Sequence, residues 1–316
     1  MSDKRTLITL SGPTACGKTR LGVLLAKRLD GEVVSCDSMQ LYRGLVIGTA
    51  APTPEETEGV AHHMVGVADV AEDWSVARFV QEADACVQDI LRRGKRPILV
   101  GGTGLYTDAL LRGISFPKGS AGGEIRRTLT LRAEREGVAP LFEELRRVDP
   151  DTAARLSPND RRRIIRALEV YLESGKTLTE HHAEERSRPP KYEAVRLALS
   201  FRDREELKRR IDLRVGKMAE AGLAREVREL YERRLPPEST VWQAIGYKEY
   251  RAVLEGKRTE AEALDEIRLR TRQYAKRQLT WLRRTEGIHW ILWEKERDFA
   301  WGLQKATEIL TREGIE

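Results

Sequence analysis

The sequence predicts an α/β protein: a parallel sheet core flanked by helices, with an inserted all-helical domain. Three observations support this. Over residues 6–115 short apolar strands alternate with helical stretches, the pattern of a doubly wound parallel sheet. Between residues 124 and 182 the pattern is helical, charged and strand-free. Strand signals then return at 195–199 (VRLAL) and 288–293 (IHWILW). The 316 residues suffice for one large or two ordinary domains. We divide them into a core of residues 1–118 and 192–316 and an insertion of residues 119–191.

The first strand is Thr6 to Leu10, and Leu21, Leu24, Leu25 and Leu29 then recur at helical spacing. Between them GPTACGKT fits G-x-x-x-x-G-K-[ST], which makes the core P-loop-type. The candidate phosphate cradle is therefore Gly12, Pro13, Thr14, Ala15, Cys16, Gly17, Lys18 and Thr19. Its glycines let backbone N–H groups turn inward, and the helix N-terminus adds positive charge. Lys18 reaches phosphate oxygens and the Thr19 hydroxyl suits Mg²⁺. The motif fits a di- or triphosphate and leaves the compound and the reaction open.

The second strand is EVVSC (32–36), followed by a helix over 74–92 and a third strand, PILV (97–100). PILV runs into Gly101-Gly102-Thr103-Gly104-Leu105-Tyr106, where a phosphate-loop kinase carries an Mg²⁺-holding acid. Glycines there admit a ligand or another backbone. The nearest acid is Asp37, after the second strand. Ligands gather at the carboxyl ends of parallel strands, so Asp37 should face the loop. A carboxylate there serves either Mg²⁺ through water, a proton transfer, or an N-cap.

PKGSAGGE (117–124) reads as a linker. Ser157-Pro158-Asn159-Asp160 reads as a helix start, with Ser as cap and Pro at the first helical position. Arg161, Arg162, Arg163 and Arg166 follow against the helix dipole, which points to phosphate-backbone binding or to neutralisation by Asp160 and Glu169. The helix over 204–221 presents Arg210 and Arg214 on one face, with Asp212 off it. A last helix over 264–284 mixes Lys276, Arg277, Arg283 and Arg284 with Tyr274, Gln278 and Trp281. That mixture suits phosphates and unpaired bases; Tyr274, Leu279 and Trp281 equally suit a buried face.

The net charge of +6 is mild, so the placement of charge matters more than its sum. Cys16, Cys36 and Cys86 form neither a disulfide framework nor a CxxC site. With too short an apolar run for a signal peptide and no membrane-length stretch, a cytoplasmic setting is expected. The adjacent pairs His62-His63 and His181-His182 lack a ligand cluster, so Mg²⁺ is the one metal expected. With no long apolar surface stripe, a monomer is expected.

Several motifs together resemble the tRNA dimethylallyltransferases, also called tRNA isopentenyltransferases. They are GPTACGKT, DSMQLYRGLVIGTA (37–50), HH (62–63), WSVARF (74–79), PILVGGTGLY (97–106), SPNDRRRIIRALEVYLESGKTL (157–178), AIGYKEY (244–250) and RTRQYAKRQLTWLRR (270–284), in the family's order over nearly the whole chain. The resemblance implies that the loop holds the diphosphate of dimethylallyl diphosphate. The implied acceptor is the exocyclic amine of the adenosine 3′ of the anticodon, so tRNA is the partner. It assigns Asp37 as the base, places Thr103 in the reaction channel, and offers Arg210 and Arg214 for diphosphate or tRNA backbone. It implies tRNA contacts at Asp37, Ser38, Met39, Gln40 and Thr103, at Arg126, and at Arg162, Arg163, Ile164, Ile165 and Arg166. It adds Gln243, Ala244, Ile245, Gly246, Tyr247 and Lys248, then Lys276, Arg277, Gln278, Trp281 and Arg283. Two departures stand out: Cys16 replaces a small residue such as Ser, which makes the loop a candidate for oxidation, and Ala51-Pro52 replaces Lys-Pro. An adenylate isopentenyltransferase and a small-molecule kinase or RNA-binding ATPase are the rival readings.

Overall fold

The structure is a computed structural model that describes residues 6–114 and 123–315. It divides into two compact units, one of Met1–Leu111 with Lys191–Glu316 and one of Arg112–Pro190. The linker expected at 117–124 and the boundary after residue 118 fall on or beside residues 115–122, outside the described residues.

The first unit begins β1 (Leu7–Ser11), α1 (Lys18–Arg28), β2 (Gly31–Cys36), α2 (Pro54–Thr57), β3 (His62–His63), α3 (Val76–Arg92), β4 (Arg96–Gly101) and α4 (Gly104–Arg112). The second unit holds α5 (Glu124–Glu136), α6 (Ala139–Val148), α7 (Pro150–Arg155), α8 (Arg161–Ser174) and α9 (Leu178–Ser187). The first unit resumes with β5 (Ala194–Phe201), α10 (Arg204–Glu220), α11 (Leu223–Glu232), a short 3-10 turn (Thr240–Gln243) and α12 (Tyr247–Leu254). It ends with α13 (Glu260–Arg284), β6 (Ile288–Trp293) and α14 (Phe299–Arg312).

The described strands form one parallel sheet in the order β3-β2-β4-β1-β5-β6, the expected α/β class. β1 lies between β4 and β5 and is buried along its whole length, because helices cover both faces. Registers align the strand ends: Ser11 pairs with Gly101 and Ala198, and Cys36 with Gly101. Loop 12–19, Asp37–Gln40 and Gly102–Thr103 therefore leave the sheet side by side. The pair His62-His63 is the edge strand β3, and His63 Nε2 lies 2.7 Å from Glu32.

In the second unit Leu129, Leu141, Leu145, Ile164, Ile165 and Leu168 form the core. The side chains of Ile164 and Ile165 are thus enclosed there and offer no surface to a nucleic acid, which corrects the contact expected of them. α8 also starts later than expected. Ser157 closes a turn by accepting the Asp160 N–H, and Asp160 is the cap, accepting the Arg163 N–H at 3.2 Å. Its arginines are more neutralised than the sequence suggests: Arg161 meets Glu134, Arg163 meets Asp160, and the buried Glu169 holds both Arg126 and Arg166 at 2.6–2.7 Å. Arg162 and Arg163 are exposed.

Candidate active site

Loop 12–19 leaves β1 and ends at Gly17, the N-cap of α1, whose φ of 98° lies where glycine is at ease. The Lys18 ammonium donates to the Pro13 carbonyl at 2.8 Å, which keeps its charge over the loop. Two side chains fasten the loop. Gln278 Oε1 accepts the Thr14 N–H at 3.0 Å while its Nε2 donates to the Gly102 carbonyl at 2.9 Å. The Trp293 indole N–H donates to the Cys16 carbonyl at 2.8 Å.

The expected oxidation sensitivity of this loop does not follow from the structure. Cys16 is fully buried, and burial pushes its thiol up despite nearby Lys18. The thiolate is the reactive form, so the site is inert. A thiol reagent at neutral pH is expected to label half-buried Cys86 and to spare Cys16 and Cys36 until the protein unfolds. Peptide mass spectrometry that finds Cys16 modified in the folded protein contradicts this.

A cavity of 420 Å³ opens beside the loop. Lys18, Asp37, Arg214 and Arg277 supply its charged groups and Thr19 a hydroxyl, and Asp37 is the one carboxylate on its wall among the described residues. Asp37 Oδ1 accepts the Met39 N–H at 3.0 Å, so the carboxylate caps a turn, not a helix, and still faces the cavity. Its charge reaches the Tyr274 phenol, which burial first and Asp37 second push up to about 12. Burial pushes the Arg214 guanidinium down, and Asp37 opposes that shift.

The glycines after β4 serve close packing within the protein. A side chain at Gly102 would strike Gln278, and one at Gly104 the Trp281 ring. Thr103 is not on the cavity wall; its hydroxyl oxygen accepts the Ser38 N–H at 3.2 Å and so holds the turn that carries Asp37.

Arg210 and Arg214 separate. Arg214 lines the cavity, whereas Arg210 is off it, held by Glu206 at 2.6 Å and reaching the Lys295 carbonyl. Asp212 pairs with Arg272. Ser38, Met39, Gln40, Gln243, Ala244, Ile245, Arg277 and Gln278 are on the wall. Tyr247 is fully buried with its hydroxyl on Glu226, and Gly246 is buried beside it, so neither presents a side-chain surface to tRNA. Lys248 and Lys276 are exposed, Trp281 is half-buried against Gly104, and exposed Arg283 borders a separate cavity of 270 Å³.

Ile267 and Thr271, also on the wall, were not singled out from the sequence. Ile267, Thr271, Tyr274 and Gln278 step by four, three and four along α13, so they form one helical stripe facing the cavity. Trp74 and Tyr106, which open WSVARF and close PILVGGTGLY, are also on the wall, with Met218 and Thr240, which lie in no motif. Arg297 was also missed; its aliphatic stem lies against Gly17. Among the described residues no group of three His, Cys, Asp or Glu is placed to hold a metal, and no helix is long and apolar enough to cross a membrane.

Comparison with known proteins bears on this geometry. The IPP transferase family matches residues 40–285, and the isopentenyl transferase family matches residues 5–72. A tRNA dimethylallyltransferase of Desulforudis audaxviator is 46% identical over 285 residues, 90% of this chain and 91% of its own. That of Thermomicrobium roseum is 43% identical over 290 residues, 92% and 87% of the two chains. The crystal structure of a tRNA isopentenylpyrophosphate transferase from Bacillus halodurans superposes with a TM-score of 0.74 at 38% identity, covering 98% of this chain and 97% of that one. A eukaryotic dimethylallyltransferase acting on tRNA gives a TM-score of 0.85 at 32% identity, covering 98% and 79%. A family match over 246 consecutive residues (40 to 285), on a sheet whose strand ends build this cavity, places the chain in the IPP transferase family.

Proposed function

We propose that the chain transfers a dimethylallyl group from dimethylallyl diphosphate to the exocyclic amine of the adenosine immediately 3′ of the anticodon in tRNA, releasing diphosphate. The observation that carries this is the composition of the 420 Å³ cavity: its wall combines anion-binding groups with, among the described residues, a single carboxylate. A reaction that breaks a carbon–oxygen bond to diphosphate needs the former; an amine that must lose a proton needs the latter.

The N–H groups of loop 12–19, the Lys18 ammonium and Arg214 bind the diphosphate and stabilise its growing charge as the allylic carbon leaves it. The adenine amine forms the new carbon–nitrogen bond, and its proton passes to Asp37. Met39, Trp74, Val215, Met218 and Ile267 cover the five-carbon chain and keep water from the cationic carbon. Thr103 and Gln278 act through others, by fixing the Asp37 turn and the loop. Mg²⁺ is held by few protein groups plus waters and phosphate oxygens. The Thr19 hydroxyl, on the wall with Lys18, fits that donor set. When bound, the ion supplies further positive charge to the leaving group. The exposed Lys276, Arg277 and Arg283 on α13, and Arg162 and Arg163 on α8, supply cations for the tRNA backbone.

The test is incubation with labelled dimethylallyl diphosphate and Mg²⁺, offering tRNA, AMP or ATP as acceptor. Label is expected in tRNA alone. Transfer to AMP moves the chain to mononucleotide prenylation, and ATP turnover without prenyl transfer overturns the proposal.

A further inference from the structure

The buried carboxylate of Glu226 has no part in the chemistry described so far, yet it is among the most heavily used side chains in the first unit. It projects from α11 into the loop between Leu45 and Ala50. Oε2 accepts the N–H groups of Val46 and Ile47, both at 2.8 Å, and Oε1 accepts that of Gly48 at 3.0 Å. The Tyr247 hydroxyl donates to Oε1 at 2.5 Å. Three successive N–H groups turned onto one anion make a concave site of the kind that elsewhere holds phosphate. Here the anion is internal and 9% exposed.

What the carboxylate holds is a wall of the cavity. Gly48, Thr49 and Ala50 line it. Ala50 has a φ of 46°, which a residue with a side chain keeps only where its surroundings force it. A side chain at Gly48 would enter the Tyr247 ring, so loop and α12 are fitted to each other. From this loop the order passes to Gln40. Its Nε2 donates to the Ala50 carbonyl at 2.9 Å and to that of Thr49 at 3.4 Å, and its Oε1 accepts the Ser35 hydroxyl. Gln40 sits three residues after Asp37, on the same cavity wall.

We infer that Glu226 is a positioning residue for the acceptor nucleotide: by binding the N–H groups of Val46, Ile47 and Gly48 it sets the loop that orients Gln40 beside Asp37, without touching the prenyl donor. This rests on the function proposed above. Glu226→Gln is the decisive variant, because an amide places an NH₂ against two of the four donors whichever way it turns. Steady-state kinetics with both substrates and hydrogen exchange at residues 46–48 are the readouts. We expect kcat/KM for tRNA to fall about ten-fold or more, KM for dimethylallyl diphosphate to stay within about two-fold, and amide protection at 46–48 to be lost. Glu226→Asp, which keeps both oxygens, should recover part of the tRNA term. Equal losses toward both substrates, unchanged tRNA kinetics, or retained protection overturns the inference. Should Glu226→Gln not fold, Tyr247→Phe removes one donor and keeps the carboxylate; it should lower kcat/KM for tRNA about three-fold, and no change overturns the inference. If the unaltered protein prenylates no tRNA, the proposed function fails, while hydrogen exchange still reads whether Glu226 orders the loop.

Discussion

Asp37→Asn should reduce prenyl transfer by about 10²- to 10⁴-fold, the range a positioned general base contributes. The substitution is nearly isosteric. The Asn side-chain oxygen can still accept the Met39 N–H that Asp37 Oδ1 accepts at 3.0 Å, so the turn and the cavity survive. What disappears is the one carboxylate on the wall. Asp37 is far outnumbered by the exposed cations on α8 and α13 that are proposed to meet tRNA, so affinity for tRNA should change little. Single-turnover transfer and a filter-binding titration on the same preparation separate the two quantities. Weakened tRNA binding with near-normal turnover would falsify the assignment of Asp37 as base.

The second large effect is expected from Lys18. Removing one preorganised group that meets developing negative charge costs on the order of 10²- to 10³-fold in kcat. Lys18→Met keeps an unbranched stem of similar reach, so packing beneath loop 12–19 is retained while the charge is lost. The Pro13 carbonyl loses the hydrogen bond it accepts from the ammonium at 2.8 Å, a penalty of about 1–3 kcal/mol. Turnover should fall steeply, and KM for dimethylallyl diphosphate should rise, because the ammonium meets the diphosphate before and during bond breaking. Thermal melting should move by only a few degrees. A variant with kcat intact shows that the loop binds something other than the leaving group.

The sheet and its loop were legible because their signals are local. Leu7–Ser11 is a short β-branched and aliphatic run, and GPTACGKT has a spacing few other structures require. Asp37 was legible for a topological reason, since it follows a strand whose end lies beside the loop. Legibility failed where function depends on partners distant in sequence. The Gln278 amide bridges Thr14 and Gly102, 264 and 176 residues away, and no window along the chain contains that geometry. Ile267 and Thr271, which extend Tyr274 and Gln278 into one helical stripe, were not legible as site residues, because a helix that lines a cavity and one that lines a core share the same pattern. Ser157 was misjudged as a cap because Ser and Asp compete for that role and the preceding turn decides between them. Ile164 and Ile165 show the converse: a segment can carry contact residues while every second or third side chain in it belongs to the core.

The two clamps on loop 12–19, the Gln278 amide from α13 and the Trp293 indole from β6, have an entropic meaning. They hold the cradle in shape through folding itself, so the entropy of ordering it is lost before any diphosphate arrives. A diphosphate binding there, as proposed, would meet a loop whose backbone these two hydrogen bonds already hold.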